Sequence, residues 1–211
     1  TPPGQFTPYR LWMTMAVADK WKARSPLDNH PLDVTFVYGN ERAIYNVGAL
    51  YAGSPHIAPG FSGPAGTLCG YVLVFPPDDR LLGATDVVLD WPGRDPSGVL
   101  EPAVYWMAEQ IDLPYIHRRF VHLHVNGVTS TARGSIYEDT QQVNARYLDA
   151  WSPDAPDGDL FKIEQWFEFS PTGGRSIFPV GPTLHNFVTT GGAKKLARYR
   201  WNWLKRAVRD S

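Results

Sequence analysis

With one cysteine, Cys69, in 211 residues, the chain cannot form an intrachain disulfide. Nothing in its cysteine usage argues for an oxidising compartment, and the thiol is expected in the core. No apolar run approaches the roughly 20 residues that span a bilayer as a helix, so no membrane span is expected. Neither sign of charge dominates. Twenty Lys and Arg stand against 21 Asp and Glu for a net charge of −1, which is not the strongly basic profile of a nucleic-acid binder. No internal repeat or low-complexity tract occurs, which excludes solenoids and arrays. No Ser sits in a G-x-S-x-G elbow and no local Cys-His signature is found, so covalent catalysis is not expected. No signal-like segment precedes Thr1, as expected of a processed or excised piece of a longer chain.

What the chain does contain is the composition of a folded globule, 43% hydrophobic and 19% charged, in a length that suits one domain. Residues 9–17, 33–38 and 43–51 are rich in strand formers and are separated by turn signals. Residues 53–70 read as a long Gly/Pro/Ser loop. Residues 71–75 form an apolar strand, and 87–91 read as a second. Asp95-Pro96 predicts a helix start. Leu100, Ala103, Val104, Met107 and Ile111 then give a helix over about 97–112 an apolar stripe that is expected to pack on the sheet.

The richest stretch runs from His117 to Glu168. Val121, Leu123 and Val125 alternate with Phe120, His122 and His124, the period of a strand with two unlike faces. Asn126-Gly127 accepts positive φ at both central positions of a tight turn and predicts a hairpin returning through Tyr137. Glu138 to Asn144 is expected to enter a short helix with Val143, Tyr147 and Trp151 on one side, capped by Asp139 or Thr140. After a Pro/Asp/Gly loop at 152–158, residues 159–168 read as another strand, with Lys162 among large apolar neighbours.

This ordered series resembles the CotH kinase family, spore-coat CotH-like atypical protein kinases whose members carry "RxVxLxVNG", "GxY", an acid-Gln-Val-Asp cluster and "DGNLYK". The matching residues are Arg119, Val121, Leu123, Val125, Asn126-Gly127, Gly134, Tyr137, Gln142-Val143-Asn144 and Asp157-Gly158-Asp159-Leu160-Phe161-Lys162. Residues 75–83 and 100–105 also look like family segments, so the likeness covers roughly 43–168. It implies an α+β fold, mainly an antiparallel or mixed sheet with packed helices, atypical protein-kinase-like and truncated at the C-terminus. It also implies ATP- and Mg2+-dependent phosphoryl transfer to Ser or Thr of a protein substrate, in a parent that is exported or displayed at the cell surface.

A phosphotransferase needs a cation held by a helix glutamate, hard oxygens for the metal and an aspartate near the accepting hydroxyl. Glu101 suits the glutamate, or is an exposed first-turn acid that favours the helix dipole. Lys162 suits the phosphate-facing cation, or is a stem covering apolar surface. Glu138, Asp139 and Gln142 suit a metal or its waters, or are solvated helix-start residues. The family's phosphate-facing lysines are replaced by the apolar strand 71–75, and its catalytic aspartate and "WDLD"-like stretch do not occur in this chain. The piece alone is therefore expected to be inactive.

Other features point elsewhere. His122 and His124 share a strand face and, with His117, His185 or Glu138, have the spacing of some metal sites. Trp12, Trp21, Trp91 and Trp151 leave open a non-catalytic surface module that binds a protein or glycan. Lys194, Lys195, Arg198, Arg200, Lys205, Arg206 and Arg209 crowd a predicted helix over 192–209. Its apolar residues lie on two sides, so a missing C-terminal segment is expected to pack on it.

Overall fold

A computed structural model describes residues 5–24, 30–52, 69–91, 95, 97–129, 136–154, 158–163, 191 and 203–207. The chain divides into two compact units, Thr1–Gln142 and Val143–Ser211. No helix among the described residues is long and apolar enough to cross a membrane.

The first unit is a closed barrel of mixed strands. Its elements are β1 (Thr7–Trp12), α1 (Met15–Ala23), β2 (Leu32–Tyr38), β3 (Arg42–Ala52), β4 (Gly70–Val74), β5 (Asp86–Asp90), α2 (Leu100–Gln110), β6 (Arg118–Val125) and β7 (Ile136–Thr140). Around the barrel the order is β1-β2-β3-β4-β5-β7-β6. Neighbours are antiparallel except where β1 meets β6 in parallel and shuts the ring, Thr7 opposite Val121 through Leu11 opposite Val125. Closure leaves the barrel itself without an open edge strand. Alternate residues fill the interior: Tyr9 and Leu11, Val34 and Phe36, Tyr71 and Leu73, Val87 and Leu89, and Val121, Leu123 and Val125. On β3 the inward residues Ile44 and Val47 are spaced by three, because the register with β2 shifts between Val34 and Phe36. Asn46 takes up the extra residue at φ 55°, a left-handed conformation that Asn tolerates better than most residues. Cys69 is buried here, and burial pushes its thiol up to about 11.

The Asn126-Gly127 turn forms as the dipeptide predicts. Asn126 and Gly127 lie at φ 49° and 79°, and Val125 and Val128 exchange both backbone hydrogen bonds across them. The turn also locks β1, since the Asn126 Oδ1 accepts from the Met13 N–H at 2.8 Å. A Cβ at Gly127 would meet only the Trp12 ring, at an ordinary 3.7 Å. Gly127→Ala is therefore expected to cost about 1–2 kcal/mol through backbone strain rather than crowding. A urea midpoint lowered with an unchanged m-value would show it.

The kinase-like α+β architecture expected from the sequence is not what forms: the sheet is a closed barrel and the helices are short. The strands themselves lie close to where alternation puts them. Local period reports which face is apolar, however, not that residues 7–11 will pair with 121–125. Three local expectations also change. Met15 begins α1, capped by the Thr14 side chain accepting from the Val17 N–H, where residues up to 17 read as strand. Glu138, Asp139 and Thr140 belong to β7 rather than to a helix start. The Asp95 carboxylate binds the Leu100 N–H at 2.7 Å from outside a helix whose cap is Val99. That bond, with Ser97, lowers its carboxyl to about 2.

In the second unit, α3 (Ala145–Trp151) is capped by Asn144, not by Asp139 or Thr140. β8 (Leu160–Ile163) pairs antiparallel with β9 (Trp203–Ala207), placing Lys162 opposite Leu204. Residues 203–207 are thus strand where a helix over 192–209 was expected, because pairing with β8 overrides a weak helical pattern. Residues 53–68, expected as a loop, residues 164–168, His185 and residues 192–202 lie outside the described residues.

Candidate functional site

β6 carries Arg118-Arg119 and β7 carries Glu138-Asp139. Successive residues of a strand point to opposite faces, so the two basic and two acidic residues separate into one cluster on each side of the barrel wall.

On the interior face, Arg119 stands opposite Asp139 in the ladder. Its guanidinium is 2.7 Å from the Asp139 carboxylate and donates to the Tyr9 hydroxyl at 2.6 Å. Tyr9 in turn donates to Asp139 at 2.5 Å. Burial, with the adjacent Asp139 carboxylate, pushes the Tyr9 hydroxyl far above its ordinary value, so it stays protonated. Arg119 also lies over the rings of Tyr9 and Tyr38. Each group satisfies another, which makes the cluster a clasp joining β1, β6 and β7.

On the outer face, Arg118 is the hub. It donates to Glu138 of β7 and reaches Glu101 of α2 at 2.6 Å, while Tyr105 of α2 lies 5.0 Å from the guanidinium. The Arg118 side chain is 9% exposed and that of Glu138 4%, whereas Glu101 remains 59% exposed. Burial raises the Glu138 carboxyl above the usual carboxylate range. Arg118 opposes the shift, and Glu101 and Asp90 add to it. The fold therefore brings together two of the sequence candidates, Glu101 and Glu138, through a cation that sequence reasoning left unassigned.

The remaining candidates are dispersed. Gln142 is half-buried just beyond β7, and Lys162 belongs to the second unit. His122 and His124 share the outer face of β6, as their spacing requires. His122 packs against Phe6 at 5.4 Å, and His117 packs against Tyr115. Among the described residues no group of three or more His, Cys, Asp or Glu is arranged to hold a metal ion. Of the four tryptophans proposed as a glycan platform, Trp21 is in the core, Trp91 packs against it, Trp12 is exposed and Trp151 is half-buried at the end of α3.

Arg118 and Tyr9 are residues that sequence reasoning missed, and Arg119 entered it only as a motif match without a role. The signal available was an Arg-Arg pair at the start of a strand that ends in an Asn-Gly turn, and a Glu-Asp pair beyond that turn. Reading Glu138 and Asp139 as helix-start acids hid it. No protein-family model matches this chain, and no curated protein matches it.

Proposed function

We propose that this chain is the nucleotide-facing part of a CotH-like phosphotransferase, which in the whole protein moves the γ-phosphoryl group of ATP, with Mg2+, to a Ser or Thr hydroxyl of a protein. The observation that carries the reading is the bridge from helix Glu101 to strand Arg118. Phosphoryl transfer relies on positioned charge rather than a covalent intermediate, and a strand cation held by a helix glutamate is one of its recurring parts. The ordered motif series from 119 to 162 supports it. The fold lends it no support, since a closed barrel is not the kinase-like architecture that the resemblance implies. On this reading Glu138 is a positioning residue. Its carboxylate already accepts from Arg118 in a nearly waterless setting, which does not fit a Mg2+ ligand that keeps several waters. An exported or cell-surface parent follows from the same resemblance.

A second reading, a non-catalytic module that binds a protein, is favoured by the apolar surface of α2 described below. Calorimetry with Mg2+ and ATP separates the two. The phosphotransferase reading expects a dissociation constant on the order of micromolar, lost in Glu101→Ala. Absence of heat at millimolar ATP would remove it and leave the binding module.

A further inference from the structure

Among the described residues, α2 meets the barrel where Glu101 and Tyr105 grip Arg118. The Tyr115 hydroxyl, in the connection that follows, donates to Glu109 at 2.9 Å, and no α2 residue is buried. The stripe that the sequence assigns to the core faces solvent instead. Leu100, Val104, Met107 and Ile111, at i, i+4, i+7 and i+11, are 61, 53, 59 and 67% exposed, with Trp106 at 59% beside them. A free-standing helix of this length is marginal in water, and contiguous exposed apolar patches of this kind mark interfaces. The expectation that α2 packs its stripe on the sheet is thus reversed, with Glu101 and Tyr105 turned to Arg118 of the barrel.

The charge around the stripe selects what covers it. From residue 95 to 116 the chain has Asp95, Glu109 and Asp112, with Glu101 already paired with Arg118, and no Lys or Arg. Such a border repels an anionic lipid surface, which is recognised by basic residues, and complements a basic protein segment. We propose that α2 is the docking surface for an amphipathic helix of another protein, one whose apolar stripe is bordered by Lys and Arg. Its residues would pack on Leu100, Val104, Met107 and Ile111 as i, i+3, i+4 and i+7 anchors do in helix recognition. The inference goes beyond the phosphotransferase reading and stands without it.

The test uses the whole chain and two synthetic helical peptides of about 20 residues with the same leucine stripe, one bordered by lysines and one by glutamates. The lysine peptide is expected to bind roughly tenfold tighter than the glutamate peptide. Val104→Asp with Met107→Asp should abolish binding while leaving the far-ultraviolet spectrum unchanged, because both side chains are exposed. Saturating Mg2+-ATP should leave peptide affinity unchanged, which keeps this result apart from nucleotide binding. Equal affinity for the two peptides, binding by neither, or binding that survives the double substitution would overturn the proposal. So would adsorption to phosphatidylserine vesicles through the same stripe. A concentration-dependent dimer dissolved by the double substitution would overturn it in favour of a second copy of this chain.

Discussion

Arg118→Met is expected to lower folding stability by about 3–5 kcal/mol, the usual consequence of stripping one partner from a buried ion pair. The guanidinium serves two carboxylates, of which Glu138 has almost no access to water. Methionine keeps an apolar stem of similar length and removes the charge, so the loss reports chiefly on Glu138 rather than on a cavity. The pH dependence supplies an independent check. Burial already holds the Glu138 carboxyl above the usual range against the pull of Arg118. Without Arg118 its folded pKa rises further, while the unfolded value stays near ~4.3. A carboxyl with a raised folded pKa costs stability while ionised, and the cost is relieved as pH falls through that pKa. The deficit should therefore be largest at neutral pH and shrink on acidification toward the unfolded value. Urea denaturation of both chains across that range measures it. Adding Glu138→Leu to the variant should recover much of the loss, since an apolar pair of similar shape replaces a buried ion pair at little cost. A deficit below about 1 kcal/mol and flat in pH would mean that the pair behaves as a solvated surface bridge.

The strand of this hub was legible in the sequence, and the hub itself was not. Alternation of Val121, Leu123 and Val125 marks β6, and Asn126-Gly127 marks its turn, because both signals are local and steric. Pairing of Arg118 with Glu138 depends on register, fixed where Arg119 meets Asp139 and His122 meets Ile136, and no window of a few residues contains that information. Closure of the barrel by β1 against β6 is more distant still. For α2 the periodicity identified the stripe correctly, but a stripe says that a face seeks cover and not that this chain supplies it. Residues 203–207 illustrate the converse: an ambiguous pattern settled by the partner strand. The candidates Glu101 and Glu138 meet because the chain turns from α2 into β6 beside β7, and Lys162 could be read only as a residue type on a strand.

Trp21→Ala is expected to cost about 3–5 kcal/mol, in the range for truncating a large core aromatic. Trp21 is fully buried and comes from α1 rather than from the barrel wall. Its ring packs edge-on against Tyr51 at 5.0 Å and tilted against Tyr71 at 5.6 Å, and the Arg24 guanidinium lies over it. Ala18 and Trp21 are the buried residues of α1, and a helix of nine residues does not hold in water by propensity alone. Removing the indole therefore takes away both core volume and the anchor of α1. The variant should become sensitive to limited proteolysis within residues 15–24 under conditions where the barrel remains folded. Trp21→Phe separates the two roles. It keeps an aromatic ring against Tyr51 and Tyr71 and deletes an indole N–H that finds no hydrogen-bond partner among the described residues, so its loss should stay under about 1.5 kcal/mol. If alanine and phenylalanine variants melt together, the ring is not what fastens α1, and the Thr14 cap with the chain connections must hold it instead.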